Sequence, residues 1–316
     1  MQLTQKKSRR GDLLTAAAVA MLLAVMAALL YTGSLTRQVT NMLIPTAVYI
    51  VMAVSLNLVV GLLGELSLGH AGFMSVGLFS GCLVAIALTN TALPLMVRLP
   101  VSMLAGGLTA AVFGLLVGLP TLRLRGDYLA IVTLACGEII KNIITNLRVT
   151  GGALGLNTTA IYAGAKELLP YGAALVLLTV AVMLNLKRSK YGRAIMAIRD
   201  NRIAAESVGL SVTRYKLAVF VIAAFFAGCA GVLYGHSLAN IKAAAFDYNM
   251  SIEILVSAIV LTVLPEALRE VADYRMLVYA VVLILVMQAT NNPAMKRFFG
   301  AACKSLTPKR KERAAL

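Results

Sequence analysis

The chain is poor in charge. Only 13% of its 316 residues are Asp, Glu, Lys or Arg, and 13 residues are acidic. An ordinary soluble domain carries about 25% charged residues, so secreted, disordered and soluble-enzyme readings are all disfavoured. Histidine and cysteine are scarce as well. His70 and His236 lie far apart, and neither has a second His or a Cys close by. Cys82, Cys136, Cys229 and Cys303 are scattered without metal-ligand spacing, three of them in apolar runs, and read as small buried hydrophobes. No metal and no other cofactor is expected. A Gly-x-x-x-x-Gly-Lys-Ser/Thr phosphate loop is missing; the run GAACKS at Gly300–Ser305 has too few intervening residues. With no nucleophile–base pair legible either, catalysis by this chain alone is disfavoured.

What the chain has is apolar sequence. Sixty per cent of it is hydrophobic, with a mean hydropathy of +0.86. Apolar runs at 13–33, 41–63, 71–89, 99–120, 128–147, 168–186, 216–236, 251–268 and 276–291 approach or reach membrane-spanning length. Strand alternation is not visible, and backbone groups in lipid must be satisfied within the segment, so the runs are expected to be helices. The expectation is an all-α polytopic membrane protein with about eight to nine transmembrane helices, organised as a single transmembrane domain over residues 1–316. The first run is longer than a signal-peptide core and reads as an uncleaved span.

The positive charge marks sidedness. The net charge is +16, from 29 basic and 13 acidic residues. Four basic residues lie in 1–11, eight in 187–216 and seven in the tail 292–316. Such segments belong on the cytoplasmic side, against anionic lipid, and make a nucleic-acid partner unnecessary. With the N-terminus inside, 187–215 is cytoplasmic and 148–167 faces outward. Nine full crossings would leave the basic tail outside, so 251–268 is expected not to span fully.

Two regions stand apart. Residues 61–81 hold six glycines (Gly61, Gly64, Gly69, Gly72, Gly77 and Gly81) interleaved with Glu65, Ser67 and His70. Tight helix packing or a broken helix at membrane depth would each use them. Glu and His are costly in hydrocarbon and should face a pathway or the bundle interior, so His70 is either a packed histidine or a pathway residue. In the loop 187–215, Ala194, Ala197, Ile198, Ala205 and Val208 form the apolar stripe of a short helix interrupted by Asn201 and ended by Gly209. Arg199, Asp200, Arg202 and Glu206 fall off that stripe. A helix that docks into another protein needs this patterning, and a simple surface crossing does not.

Several runs resemble the permease subunits of branched-chain amino acid ABC importers. They are Ser55–Phe73 (SLNLVVGLLGELSLGHAGF), Leu124–Ile140 (LRGDYLAIVTLACGEII), Thr150–Leu156 (TGGALGL), Tyr191–Gly209 (YGRAIMAIRDNRIAAESVG) and Ser251–Leu255 (SIEIL). The likeness covers nearly the whole chain in order. It implies an ABC-importer permease-like bundle in the bacterial cytoplasmic (inner) membrane. The implied partners are ATP-binding subunits, a second homologous permease and an extracytoplasmic substrate-binding protein. Ala204, Ala205, Glu206 and Gly209 match the segment that contacts the ATPase in that family, and Arg193, Arg199 and Asp200 belong to the same patch. Glu65, Ser67, Gly69, His70, Gly72, Phe73 and Glu138 are the candidate pathway residues. One departure stands out: the family's Gly-Gly-x-Gly turn between its Ser-Ile-Glu and Leu-Pro-Glu segments is missing, as though deleted at Val256–Ser257. Other readings remain open on the residues alone: a urea, amide or sugar importer, a proton-coupled transporter using Glu65, His70, Glu138 or Lys141, and a membrane-embedded enzyme or assembly factor.

Overall fold

The computed structural model describes residues 37–89, 94–121 and 127–267, together with parts of 20–32 and Leu124. The sequence-derived spans 13–33 and 276–291 lie wholly or largely outside these residues, as does the basic tail. Among the described residues, six helices are long and apolar enough to cross a membrane. The chain is an all-α polytopic membrane protein.

Helix α1 (Arg37–Asn57) continues as a π-helical turn, Leu58–Leu63. An irregular segment, 64–69, separates it from α2 (His70–Thr89). Then come α3 (Leu95–Thr121) and α4 (Asp127–Asn146). The loop after α4 carries β1 (Leu156–Asn157), followed by α5 (Ala165–Arg188). Two short helices, α6 (Lys190–Asp200) and α7 (Arg202–Ser207), precede α8 (Val212–His236). The two residues of β2 (Asn240–Ile241) pair antiparallel with β1, and α9 (Tyr248–Ala267) follows.

The core is a three-helix contact of α2, α3 and α8 built on small residues. A Cβ placed on Gly77 would lie 2.2 Å from Gly228 Cα, one on Gly228 2.6 Å from the Gly106 carbonyl oxygen, and one on Gly106 2.4 Å from the Gly77 carbonyl oxygen. Three glycines therefore meet backbone to backbone. In lipid, where helix association gains little from water exclusion, such close approach supplies dispersion contact. The opposite face of α3 shows Val97, Val101, Leu104, Leu108, Val112 and Leu115 to the surroundings. That exposed stripe suits lipid or another apolar surface.

The run TGGALGL closes the C-terminal end of α4. Thr150 Oγ1 donates to the Ile144 and Leu147 carbonyls, and Gly155 tucks against the Ile241 carbonyl where β1 meets β2. Across Val256–Ser257, α9 runs unbroken. Its start is set low: Tyr248 N–H donates to Glu138 Oε1 at 3.1 Å, and Glu138 lies past the middle of the 20-residue α4. Helix α9 therefore begins near the mid-height of α4, about 16 Å along a helix of roughly 30 Å.

Candidate functional site

The break between α1 and α2 is built locally. A π turn widens the end of α1, and the N–H groups of Gly64 and Glu65 both bond to the Val59 carbonyl. Gly64 then turns the chain with φ +76°, a left-handed conformation suited to glycine. Helix α2 restarts at His70, with the Gly69 carbonyl accepting from Gly72 and Phe73 N–H. Single π turns inside or beside α-helices are frequent at functional positions.

Polar contacts hold the break in place. Lys216, in the second turn of α8 and 6% exposed, donates its Nζ to Glu65 Oε1. Leu68 N–H donates to Thr133 Oγ1 of α4 at 3.1 Å. Gly69 and Gly72 lie flat on α4, where added Cβ atoms would meet the Thr133 carbonyl oxygen at 2.5 Å and Gly137 Cα at 2.9 Å. Two atoms of the break, Glu65 Oε2 and Ser67 Oγ, are buried with no hydrogen-bond partner among the described residues.

His70 is 2% exposed and lies 2.8 Å, through Nε2, from Ser55 Oγ. The Ser55 hydroxyl also lies 2.9 Å from the Met52 carbonyl, so it sits between that carbonyl and the His70 ring. The His70 ring stands edge-on to Phe73, and Phe73 edge-on to Phe220 of α8, with centroids 5.3 Å apart for the second pair. Next to His70, Ala71 N–H donates to Ser251 Oγ of α9 at 3.4 Å.

The candidate pathway residues thus fall into separate settings. Glu65, Ser67, Gly69, His70, Gly72 and Phe73 sit along the break and the start of α2, buried or half-buried among α1, α4, α8 and α9. Glu138 joins a different group: it pairs with Lys141 and caps α9 through Tyr248. Lys216, Ser55, Thr133 and Ser251 were not anticipated from the sequence. Ser55, Thr133 and Ser251 lie within the family-like runs, and Lys216 opens an apolar run, but neither signal showed which partners they meet.

On the cytoplasmic side assigned by charge, the loop 187–215 folds as two helices. Asn201, extended at φ −152°, ends α6 and caps α7 by accepting from Ala204 N–H at 3.0 Å. Gly209, at φ +83°, ends α7. The expected stripe is only partly inward. Ile198 and Ala205 are buried against Val212, and Ile195, outside that stripe, is buried too. Ala197, within α6, and Val208, just past the end of α7 at Ser207, are exposed. Val208 and Ile203 reach 76% and 81% exposure. Arg193 donates to the Arg188 carbonyl, Asp200 accepts from Arg199, and Arg202 pairs with Glu206 at 2.8 Å.

One contact joins this loop to the break. Arg199 Nη1 donates to the Gly61 carbonyl at 3.0 Å, within the π turn. Its side chain lies over Gly64, where an added Cβ would stand 2.6 Å from Arg199 Cγ.

Residues 38–297 match the family described as branched-chain amino acid transport system / permease component. The chain belongs to that family. It is 33% identical over 296 residues to the high-affinity branched-chain amino acid transport system permease protein LivM of Salmonella typhimurium, covering 77% of this chain and 66% of that protein. LivM of Escherichia coli is 33% identical over 290 residues, with the same shares covered. A probable branched-chain amino acid transport permease protein LivM of Methanocaldococcus jannaschii is 31% identical over 148 residues, 43% of each chain. The match spans just under two thirds of the length of the two bacterial relatives. No solved structure matches. Family membership and the six apolar helices make this a multi-pass inner-membrane protein of a family of transport subunits.

Proposed function

We propose that the chain is the transmembrane permease subunit of an ATP-driven importer for branched-chain amino acids. It forms half of a translocation pathway with a second homologous permease and receives cargo from an extracytoplasmic binding protein. Hydrolysis takes place on separate ATP-binding subunits. The observation that carries this reading, beyond the family, is the outward apolar surface of α6–α7, with Ile203, Val208 and Tyr191 exposed. Their helix pair is tied through Arg199 to the broken helix. An apolar helical surface on a basic cytoplasmic loop suits a docking partner.

Within this reading, Arg193, Arg199, Asp200, Ala204, Ala205, Glu206 and Gly209 form or support the ATPase-facing patch. Glu65, Ser67, Gly69, His70, Gly72 and Phe73 form the hinge that opens and closes the pathway, and Glu138 holds α9 beside it. The test is co-purification with the ATP-binding subunits and uptake of labelled leucine into proteoliposomes. Glu206→Lys replaces the partner of Arg202 with a second cation and should abolish both, while the helical circular dichroism signal of the purified chain stays unchanged. Normal co-purification and uptake in that variant would remove α7 from the docking surface. ATP-independent uptake driven by a proton gradient would replace the importer reading with a secondary transporter.

A further inference from the structure

Between β2 and α9 the chain descends into the bundle without an α-helix. Ile241 pairs with Leu156 at the end of the bundle where the TGGALGL run closes α4. Tyr248 is bonded to Glu138, about 12 Å back along α4 from its last residue, Asn146. The limb 242–247 between them holds only a 3-10 turn, Ala243–Ala245. One side of it is pinned to the bundle: Ala243 and Phe246 are buried, and the Phe246 ring meets Phe79 of α2 edge-on. The other side is uncovered, since Ala244 and Ala245 are exposed. Backbone that is not helical is tolerated at membrane depth only where protein buries it or where it lines a water-filled cavity.

Helix α4 changes character at the same depth. In its first half the exposed Ile131 and Ala135 are apolar. From Glu138 onward one side turns polar: Glu138 and Lys141 keep 29% and 20% of their side-chain surface, and Asn142 and Asn146 are exposed. Glu138 pairs with Lys141, and Lys141 also acts electrostatically on Asp247 at the foot of the limb. Asp247 caps α9, accepting from Met250 N–H at 3.1 Å. These charges are all engaged, yet the cluster stays half-exposed, and hydrocarbon is a costly neighbour for it. A closed subunit contact is a poor cover too, because the cores of such interfaces are depleted in charge. Water suits both the bare limb and the polar half of α4. Ile139 and Ile143, exposed further round the same turns, suit lipid instead.

We propose that the limb 242–247 and the C-terminal half of α4 wall a water-filled vestibule, running from the β1–β2 end of the bundle to the start of α9, with Glu138, Lys141 and Asp247 at its floor. That a polar cargo descends through it rests on the transport reading; the test does not depend on transport. Single variants Asn142→Cys, Ala244→Cys and Ile143→Cys are made with C136A and C303A in place, since Cys82 and Cys229 are buried. Asn142 and Ile143 are consecutive, about 100° apart around α4. The permease, purified with its co-purifying subunits and placed in nanodiscs, is treated with a cationic methanethiosulfonate reagent. A thiol reacts as its thiolate, which apolar surroundings suppress, so Asn142→Cys and Ala244→Cys should label at least about tenfold faster than Ile143→Cys. Labelling of Asn142→Cys no faster than that of Ile143→Cys would overturn the vestibule. So would fast labelling found only after the chain is separated from its subunits, which would make this face a closed contact. The Asn142 and Ile143 pair decides the matter if Ala244→Cys does not fold. Fast labelling in a complex that imports no leucine would instead refute the transport reading and leave the vestibule standing.

Discussion

Replacing Lys216 by Met tests whether the break is held as described. Lys216 and Glu65 keep 7% and 14% of their side-chain surface, and Glu65 Oε2 already lacks a partner among the described residues. Removing the cation leaves a nearly buried carboxylate with neither charge compensation nor full hydrogen bonding. Breaking a buried ion pair from one side costs about 3–5 kcal/mol, whereas replacing both members by neutral groups of similar size is often close to neutral. The pair lies near the cytoplasmic end, where water is closer, so the lower value applies, about 3 kcal/mol. For a chain of this size that is roughly 5–10 °C in apparent midpoint. Cys82 and Cys229, at 0% and 3% exposure, provide the readout. With C136A and C303A in place, a thiol-reactive dye reports exposure of the α2–α8 contact on heating in detergent. Lys216→Met should lower the midpoint by that amount, and Glu65→Gln/Lys216→Met should recover most of it. A single variant as stable as the parent, or a double variant no better than the single, would refute the reasoning.

Gly64→Ala is expected to cost about 1–2 kcal/mol for the left-handed backbone and to push Arg199 off Gly61. Uptake per ATP hydrolysed, measured in proteoliposomes, should fall more than the modest loss of stability explains. Gly228→Leu drives a side chain into Ala110 and the Gly106 carbonyl, 2.5 and 2.6 Å from its Cβ, so no monodisperse protein should survive size-exclusion chromatography. Ser55→Ala removes the hydroxyl partner of a buried His70 and should cost about 1–3 kcal/mol in the same dye assay. Unchanged leucine uptake per folded molecule in that variant would make His70 a packing residue.

The sequence made the break legible because glycine, Glu65, Ser67 and His70 interrupt an apolar run, and no uniform span accommodates that set. The ends of the spans were also readable. The glycine row proved to serve both open readings: Gly77 packs against α8, while Gly64 turns the broken chain. What pairs with the break was not readable. Lys216 lies 151 residues from Glu65, and Arg199 lies 138 residues from Gly61. Helical periodicity carries no information at such separations. The stripe on the cytoplasmic loop failed for a different reason. It fails at Ala197, which is exposed within α6, and at Val208, which lies past the end of α7 at Ser207; Ile198 and Ala205, on either side of the extended Asn201, both stay inside. The low start of α9 was equally hidden, since Tyr248 N–H is capped by Glu138 from another helix.

The two ways in which this bundle is held suggest where it can move. The α2–α3–α8 contact is backbone against backbone at Gly77, Gly106 and Gly228, and packing that close is bistable only at the cost of separating whole helices. The break is held instead by a few directed polar contacts. Arg199 is an exposed residue, so its bond to Gly61 contributes on the order of 1 kcal/mol, as does the Leu68–Thr133 bond. A ligand or docking partner with a differential affinity of about 5.5 kcal/mol can reverse a two-state preference from 1:99 to 99:1. That exceeds each polar contact at the break, the Glu65–Lys216 pair at about 3 kcal/mol included. On the proposed importer reading, segment 64–69 is therefore the element that docking on α6–α7 would shift, with Arg199 carrying the displacement and the Glu65–Lys216 pair as the strongest restraint.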